Sequence, residues 1–351
     1  MENNMRTSEN AGKSWERYSR QMLFAPIGKA GQEKLSRSKV AVIGLGALGT
    51  VSAGTLARAG VGHLKLIDRD FVEESNLQRQ VLFDEDDAAM TLPKALAAVE
   101  KLKKINSGVT YEALVEDVNF RNIENLIAGM DLVMDATDNF ETRFLLNEAC
   151  IKNNIPWIYG ACVAGSGLTF TVIPGKTPCL TCLLGELPSA GTGETCDTAG
   201  IISPIVNVVA SIQTAEALKL LTGSVKSLRE KLLFIDLWEN IFTQLEVVRD
   251  QHCPVCAKGS FTLLAGKKQQ YCTYLCGRDA VQVLPPEKLN LSLEDLREKL
   301  LPLGEVTAND FLLKFTTGKY QMVIFPDGRV LIKGTSNEKI ARTLYARYIG
   351  V

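Results

Sequence analysis

Val40-Ala41-Val42-Ile43-Gly44-Leu45-Gly46-Ala47-Leu48-Gly49 decides how this chain is read. A short apolar, β-branched run predicts a buried strand, and it passes through G-x-G-x-x-G into an apolar helix. The glycines allow close backbone approach to a phosphate, while the helix start offers unpaired N–H groups at the positive end of its dipole. The turn is expected to hold a nucleotide. A second strand, Leu64-Lys65-Leu66-Ile67, ends at Asp68, nineteen residues after Gly49, where an acid ordinarily bonds the ribose hydroxyls. Alone, these features read as an NAD-dependent oxidoreductase.

Outward from that turn the pattern alternates. Strands are predicted at 40–43, 64–67, 110–116, 131–135 and 156–160, with helices at about 47–59, 93–105, 121–128 and 141–153 between them. This is the pattern of a parallel sheet covered on both faces, a doubly wound α/β fold. After residue 161 the alternation gives way to strand pairs, so the sheet is expected to continue into an antiparallel half. Residues 185–200 have turn-forming composition and predict a long loop, and an apolar helix is expected from Pro204 to Leu221, stopped by Gly223. Residues 261–351 predict a separate small α+β domain, with Ser292 capping a helix, a hairpin of Phe311–Thr316 and Tyr320–Phe325, and a last helix over Asn337–Tyr348. Residues 1–14 are polar and expected to be disordered, leaving 15–258 as the main domain.

Composition narrows the partners. The 351 residues are 46% hydrophobic and 23% charged, with a formal charge of −1. That balance argues against nucleic acid as the main ligand. Gln213, Glu216 and Lys219 interrupt the most apolar stretch, so no membrane span is expected, and the chain reads as cytoplasmic. Nine cysteines without an apolar signal segment favour metal or thiol chemistry over disulfides. Only two histidines are present, His63 and His252, and neither has the spacing of a zinc protease motif or a convincing triad.

Several polar residues carry chemistry that hydride transfer does not need. Arg79, in Ser75-Asn76-Leu77-Gln78-Arg79-Gln80, offers a planar fork to phosphate oxygens, and Lys94, after Leu92-Pro93, adds a point charge at a helix start. The plain alternative for each is a solvated surface charge. Asp138 follows the fourth strand in Asp135-Ala136-Thr137-Asp138-Asn139, where a carboxylate faces the ligand crevice and suits Mg²⁺; the alternative there is a helix N-cap. Cys179-x-x-Cys182 and Cys253-x-x-Cys256 together suit a closed, structural Zn²⁺ site, against four unrelated buried thiols. Cys196, in the glycine-rich loop, is either an accessible reactive thiol or an incidental loop cysteine. Cys150 and Cys162 read as packing residues, and Cys272 and Cys276 suit no obvious metal site.

In this order the motifs resemble the ThiF/MoeB/HesA adenylyltransferases, relatives of the ubiquitin-activating enzymes. The resemblance spans about residues 15–258 and rests on Arg17-Tyr18-Ser19-Arg20-Gln21, the glycine turn, the Ser75–Gln80 run, Asp135–Asn139, both C-x-x-C pairs and Thr195-Cys196-Asp197. It implies a Rossmann-like fold and ATP as the nucleotide. It also implies that Gly44, Gly46 and Gly49 cradle phosphate, Asp68 contacts ribose, Asn76, Arg79 and Lys94 hold phosphates, and Asp138 binds Mg²⁺. Arg20 matches an arginine lent by a partner subunit, which implies a homodimer. The implied substrate is the C-terminal Gly-Gly carboxylate of a small ubiquitin-like sulfur carrier protein, adenylated with release of pyrophosphate. Cys196 aligns with a cysteine of thioester or acyl-disulfide chemistry, and a persulfide sulfur donor is the implied second partner. The segment after about 260 is similar to the tail of long ThiF-like proteins of Bacillus-type bacteria, which points to thiamine thiazole biosynthesis. Adenylation of the molybdopterin synthase carrier is the close alternative.

Overall fold

The computed structural model describes residues 15–187, 196–266, 272–275, 280–285 and 289–350. The disorder expected for residues 1–14 and the position of Thr195 and Cys276 lie outside that set. The chain separates into two compact units: residues up to 189 with Ile201–Lys267, and Ala190–Gly200 with Lys268–Val351.

The first unit is built on eight strands: β1 (Lys39–Ile43), β2 (His63–Ile67), β3 (Thr110–Leu114), β4 (Leu132–Asp135), β5 (Trp157–Val163), β6 (Ser166–Val172), β7 (Leu232–Asp236) and β8 (Ile241–Leu245). They lie in the order β3-β2-β1-β4-β5-β6-β7-β8. Pairing is parallel from β3 to β5 and antiparallel from β5 to β8, a Rossmann-like half continued by a meander. Val40, Ala41, Val42 and Ile43 are all buried because helices cover both faces of the central strands. Successive side chains go to opposite sides. Val40, Val42, Leu64, Leu66 and Met134 pack with residues of the helices Ala47–Ala59, Lys94–Ile105 and Ser203–Thr222. Ala41, Ile43, Val133, Trp157 and Tyr159 pack with residues of Ile123–Ile127 and Phe140–Lys152.

Helix Ser203–Thr222 is long and apolar enough to cross a membrane by length and composition alone. In the fold it lies against β5, β6 and Ala47–Ala59 as a core helix. Its Gln213 donates to the backbone carbonyls of Asp135 (3.0 Å), the last residue of β4, and Ile158 (3.2 Å), within β5, where the pairing of the two strands stops. Gly160 leaves the space: a Cβ there would stand 2.3 Å from the Gln213 amide.

The entry segment is fixed at the far ends of two helices. Asn106 donates to the Tyr18 hydroxyl at 2.8 Å, Arg17 donates to the Ile105 carbonyl at 2.7 Å, and Gln21 donates to the Ala59 carbonyl at 2.9 Å. Ala59 and Ile105 end the helices that begin at Ala47 and Lys94. At 1.5 Å per residue, roughly 18–20 Å separate those ends.

The second unit has six antiparallel strands in the order β11-β12-β13-β14-β10-β9, where β9 is Cys272–Leu275, β10 Ala280–Val283, β11 Glu305–Ala308, β12 Leu313–Thr317, β13 Tyr320–Ile324 and β14 Val330–Lys333. Helices Leu293–Leu300 and Glu338–Tyr348 cover it through Leu296, Leu300, Ala341 and Tyr345 against Val281, Phe315, Met322 and Ile332. Ser292 caps the first helix through the Asp295 amide and Asn337 caps the second. The long loop expected at 185–200 is interrupted in the structure: residues 188–195 fall outside the described set, and Cys196–Ala199 forms one helical turn.

Candidate functional site

Strand β1 leaves the sheet at the point where chain order reverses, between β2 and β4, and crevices at such points take ligands. Gly44 sits there with φ +91°, and a Cβ on it would lie 2.5 Å from the Ala136 carbonyl oxygen. At Gly49 a Cβ would lie 2.0 Å from the Gly44 carbonyl oxygen. These two glycines are demanded by the fold. Gly46 is different: a Cβ there meets nothing nearer than the Gln80 amide nitrogen at 4.0 Å. The space over Gly46 is where a phosphate would come in.

Asp68, half-buried at the end of β2, ties the turn down. Its carboxylate accepts from the Leu45 amide at 2.6 Å and the Asp70 amide at 2.7 Å. Burial pushes this carboxyl upward from its ordinary value, while Lys94 and the two amides pull against it. Lys94 begins helix Lys94–Ile105 and is only 4% exposed, which overturns the surface-charge reading of it. Its ammonium lies 3.8 Å from the Asp70 carboxylate.

The Ser75–Gln80 run forms a helical turn, Glu74–Asn76, that leads to Gln80 beside Gly46. Asn76 is buried, and its side-chain oxygen accepts from the Glu73 amide at 3.3 Å. Arg79 is half-buried and donates to the Ser75 carbonyl at 3.0 Å. At the end of β4 the N-cap of helix Phe140–Lys152 is Asn139, whose side chain accepts from the Thr142 amide at 2.8 Å. The capping role weighed for Asp138 therefore belongs to its neighbour, and Asp138 is exposed.

Other groups at the site were not singled out by the sequence. Arg69 donates to Asp117 at 2.6 Å and lies 3.9 Å from Asp70. Burial lowers its basicity, but Asp117, Asp70 and Asp138 raise it further, leaving it above its ordinary value. Under Asp138, buried Asp135 accepts from Thr137 and lies 3.4 Å from Arg143, which in turn donates to the carbonyls of Thr137 and Gly160. The one signal in the sequence was the D-x-D spacing of Asp68 and Asp70.

One candidate of the first unit lies apart. Arg20 is exposed in the entry segment at the opposite ends of the helices that begin at the glycine turn and Lys94. Cys196 opens the helix Cys196–Ala199 of the second unit, and its side chain is outside the described set.

The four knuckle cysteines converge. Their sulfur atoms all lie within 4.8 Å of one another, with Cys179–Cys182 at 3.9 Å, Cys179–Cys253 at 3.7 Å and Cys182–Cys256 at 3.5 Å. A tetrahedron with Zn–S arms of about 2.3 Å has edges of about 3.8 Å, so the donor set fits zinc. Cys150 and Cys162 are buried among apolar residues, as packing requires.

Two predictions follow from this geometry. Gly46→Ala keeps the thermal midpoint of the wild-type protein but weakens ATP binding about tenfold, whereas Gly49→Ala costs about 2 kcal/mol or more of stability; equal stability losses in unfolding scans would contradict it. Metal analysis of the purified protein should find one zinc per chain, and Cys253→Ser should lose both the metal and several degrees of midpoint.

The ThiF family profile matches residues 18–255. The sulfur carrier protein ThiS adenylyltransferase of Bacillus subtilis (strain 168) is 48% identical over 337 residues, spanning 95% of this chain and 99% of that protein. The molybdopterin-synthase adenylyltransferase of Escherichia coli (strain K12) is 37% identical over 250 residues, 69% of this chain and 96% of that one. Among solved structures, E. coli MccB with ATP superposes with a TM-score of 0.60 at 26% identity, covering 68% of this chain and 74% of MccB. Profile, relatives and superposed fold agree, and the chain belongs to the ThiF family.

Proposed function

We propose that this enzyme uses ATP to adenylate the C-terminal Gly-Gly carboxylate of a small ubiquitin-like sulfur carrier protein, in the cytoplasmic pathway that builds the thiamine thiazole. The observation that carries this reading is the 48% identity to a ThiS adenylyltransferase across 95% of the chain. A match of that extent includes the second unit, which the molybdopterin-synthase relative, aligned over 69% of the chain, does not reach in full. The adenylation unit alone would serve either carrier. The shared tail favours the thiamine one.

In the reaction a carboxylate oxygen of the carrier attacks the α-phosphorus of ATP. The bond to the β-phosphate oxygen breaks, and pyrophosphate leaves with its electron pair. Two anions must be brought together, so the site has to supply positive charge and alignment. Gly44, Gly46 and Gly49 would cradle the phosphates, Asn76, Arg79 and Lys94 would hold their oxygens, and Asp68 would take the ribose. Asp138, an exposed carboxylate at the end of β4, is an oxygen donor of the kind Mg²⁺ takes. Bound there, Mg²⁺ would offset charge on the phosphates. The buried Lys94 and the guanidinium of Arg79 are poor fits to hydride transfer, which has no triphosphate to neutralise.

Arg20 supports a homodimer in this proposal. Its segment is tied to the Ala59 and Ile105 ends of the two helices, roughly 18–20 Å from the ends that face the crevice, so it would serve the site of a second copy. After adenylation a persulfide donor would attack the acyl carbonyl, forming a C–S bond as AMP departs, and we assign Cys196 to this later stage.

Carrier-dependent exchange of pyrophosphate into ATP should be abolished by Asp138→Ala and by Arg20→Ala. Mixing those two inactive variants should restore on the order of a quarter of wild-type activity, because half of the dimers would be hybrids with one complete site each. No recovery after subunit exchange would rule out the shared site. For Cys196→Ala, exchange persists while sulfur transfer to the carrier is lost; unchanged transfer would make Cys196 a bystander.

A further inference from the structure

The carboxylate of Asp70 stands between two cations, 3.8 Å from the Lys94 ammonium and 3.9 Å from Nε of Arg69. Its backbone is committed to the same neighbours. The Asp70 amide donates to the Asp68 carboxylate at 2.7 Å, and its carbonyl accepts from the Lys94 amide at 2.9 Å. A bridge between Phe71 and Pro93 and a 2.8 Å bond from the Val72 amide to the Leu92 carbonyl continue this pairing. Residues 70–72 therefore form a strap that fixes the start of helix Lys94–Ile105 to the end of β2.

The side chain of Lys94 is 5% exposed, and a buried ammonium needs a counter-charge. Among the described residues, Asp68 and Asp70 are the acids that face it. Both oxygens of Asp68 already accept backbone amides, one of them in the glycine turn. At 3.8 Å the Asp70 pair is longer than a hydrogen bond. It balances the charge of Lys94 without occupying the N–H donors that an incoming phosphate would use.

We propose that Asp70 is a positioning residue for the nucleotide: it holds the buried Lys94 ammonium at the start of its helix with its donors kept for phosphate oxygens. This rests on the reading of Lys94 as a phosphate-binding cation. Asp70 contacts no substrate in this scheme and acts through Lys94.

The test is a double-mutant cycle on the full-length protein, read by calorimetric ATP binding and by pyrophosphate exchange. Asp70→Asn should raise Kd and KM for ATP about tenfold while kcat changes less than about twofold. The unfolding midpoint without ATP should fall in Asp70→Asn, because the buried ammonium loses a counter-charge, so binding and exchange are read well below that midpoint. In a Lys94→Ala background the same change should have no further effect on ATP binding, and Asp70→Glu, which keeps the charge, should recover at least half of the affinity lost in the Asn variant. An equal loss from Asp70→Asn with and without Lys94, or a Glu variant as weak as the Asn variant, would overturn the positioning role while leaving Lys94 as an ATP ligand. Wild-type ATP affinity in Lys94→Ala alone would remove the reading beneath it, and the proposal with it.

Discussion

The carboxylate of Asp68 is the joint on which the crevice at the glycine turn depends. One oxygen holds the Leu45 amide, inside the glycine turn, and the other holds the Asp70 amide, at the start of the strap that leads to Lys94. Charge-assisted bonds of this kind are about twice as strong as neutral ones, and here they join two loops from adjacent strands. The turn and the lysine are thereby fixed relative to each other before any ligand arrives. Preorganisation of that sort is what a site must have if it is to bind a triphosphate without reordering its own backbone.

Much of this was legible in the sequence where the signal is local. The strand and glycine turn from Val40 to Gly49 specify their own geometry, because Gly44 and Gly49 sit where a side chain would strike backbone. Helix Ala47–Ala59 and the cap Ser292 follow from the same short-range chemistry. Both C-x-x-C pairs announced a cluster because four soft ligands at metal spacing have few other uses.

What was not legible depends on residues distant in sequence. Strands β7 and β8 lack the alternation that marks a half-buried strand, since all five residues of β8 are exposed. Gln213 registered as an interruption of an apolar run, yet its meaning lies in two strand carbonyls, of Asp135 and Ile158, that it satisfies from another layer. The N-cap alternative was read at Asp138, and only the Thr142 amide shows that its neighbour Asn139 takes that role. Arg69 and Asp117 are 48 residues apart, so their pairing has no local trace.

The four-cysteine cluster also sets an order of events in synthesis. Cys182 and Cys256 are 74 positions apart, so the first knuckle exists long before its partner is made. At about 5–20 residues per second on the ribosome, the early pair waits roughly 4–15 s for the late one. During that interval the strands from β1 to β6 are already available to pair, as their last residue is Val172. Closure of the cluster is thus a late step in synthesis, and a metal with four thiolate ligands could be taken up only after the parallel half is able to form.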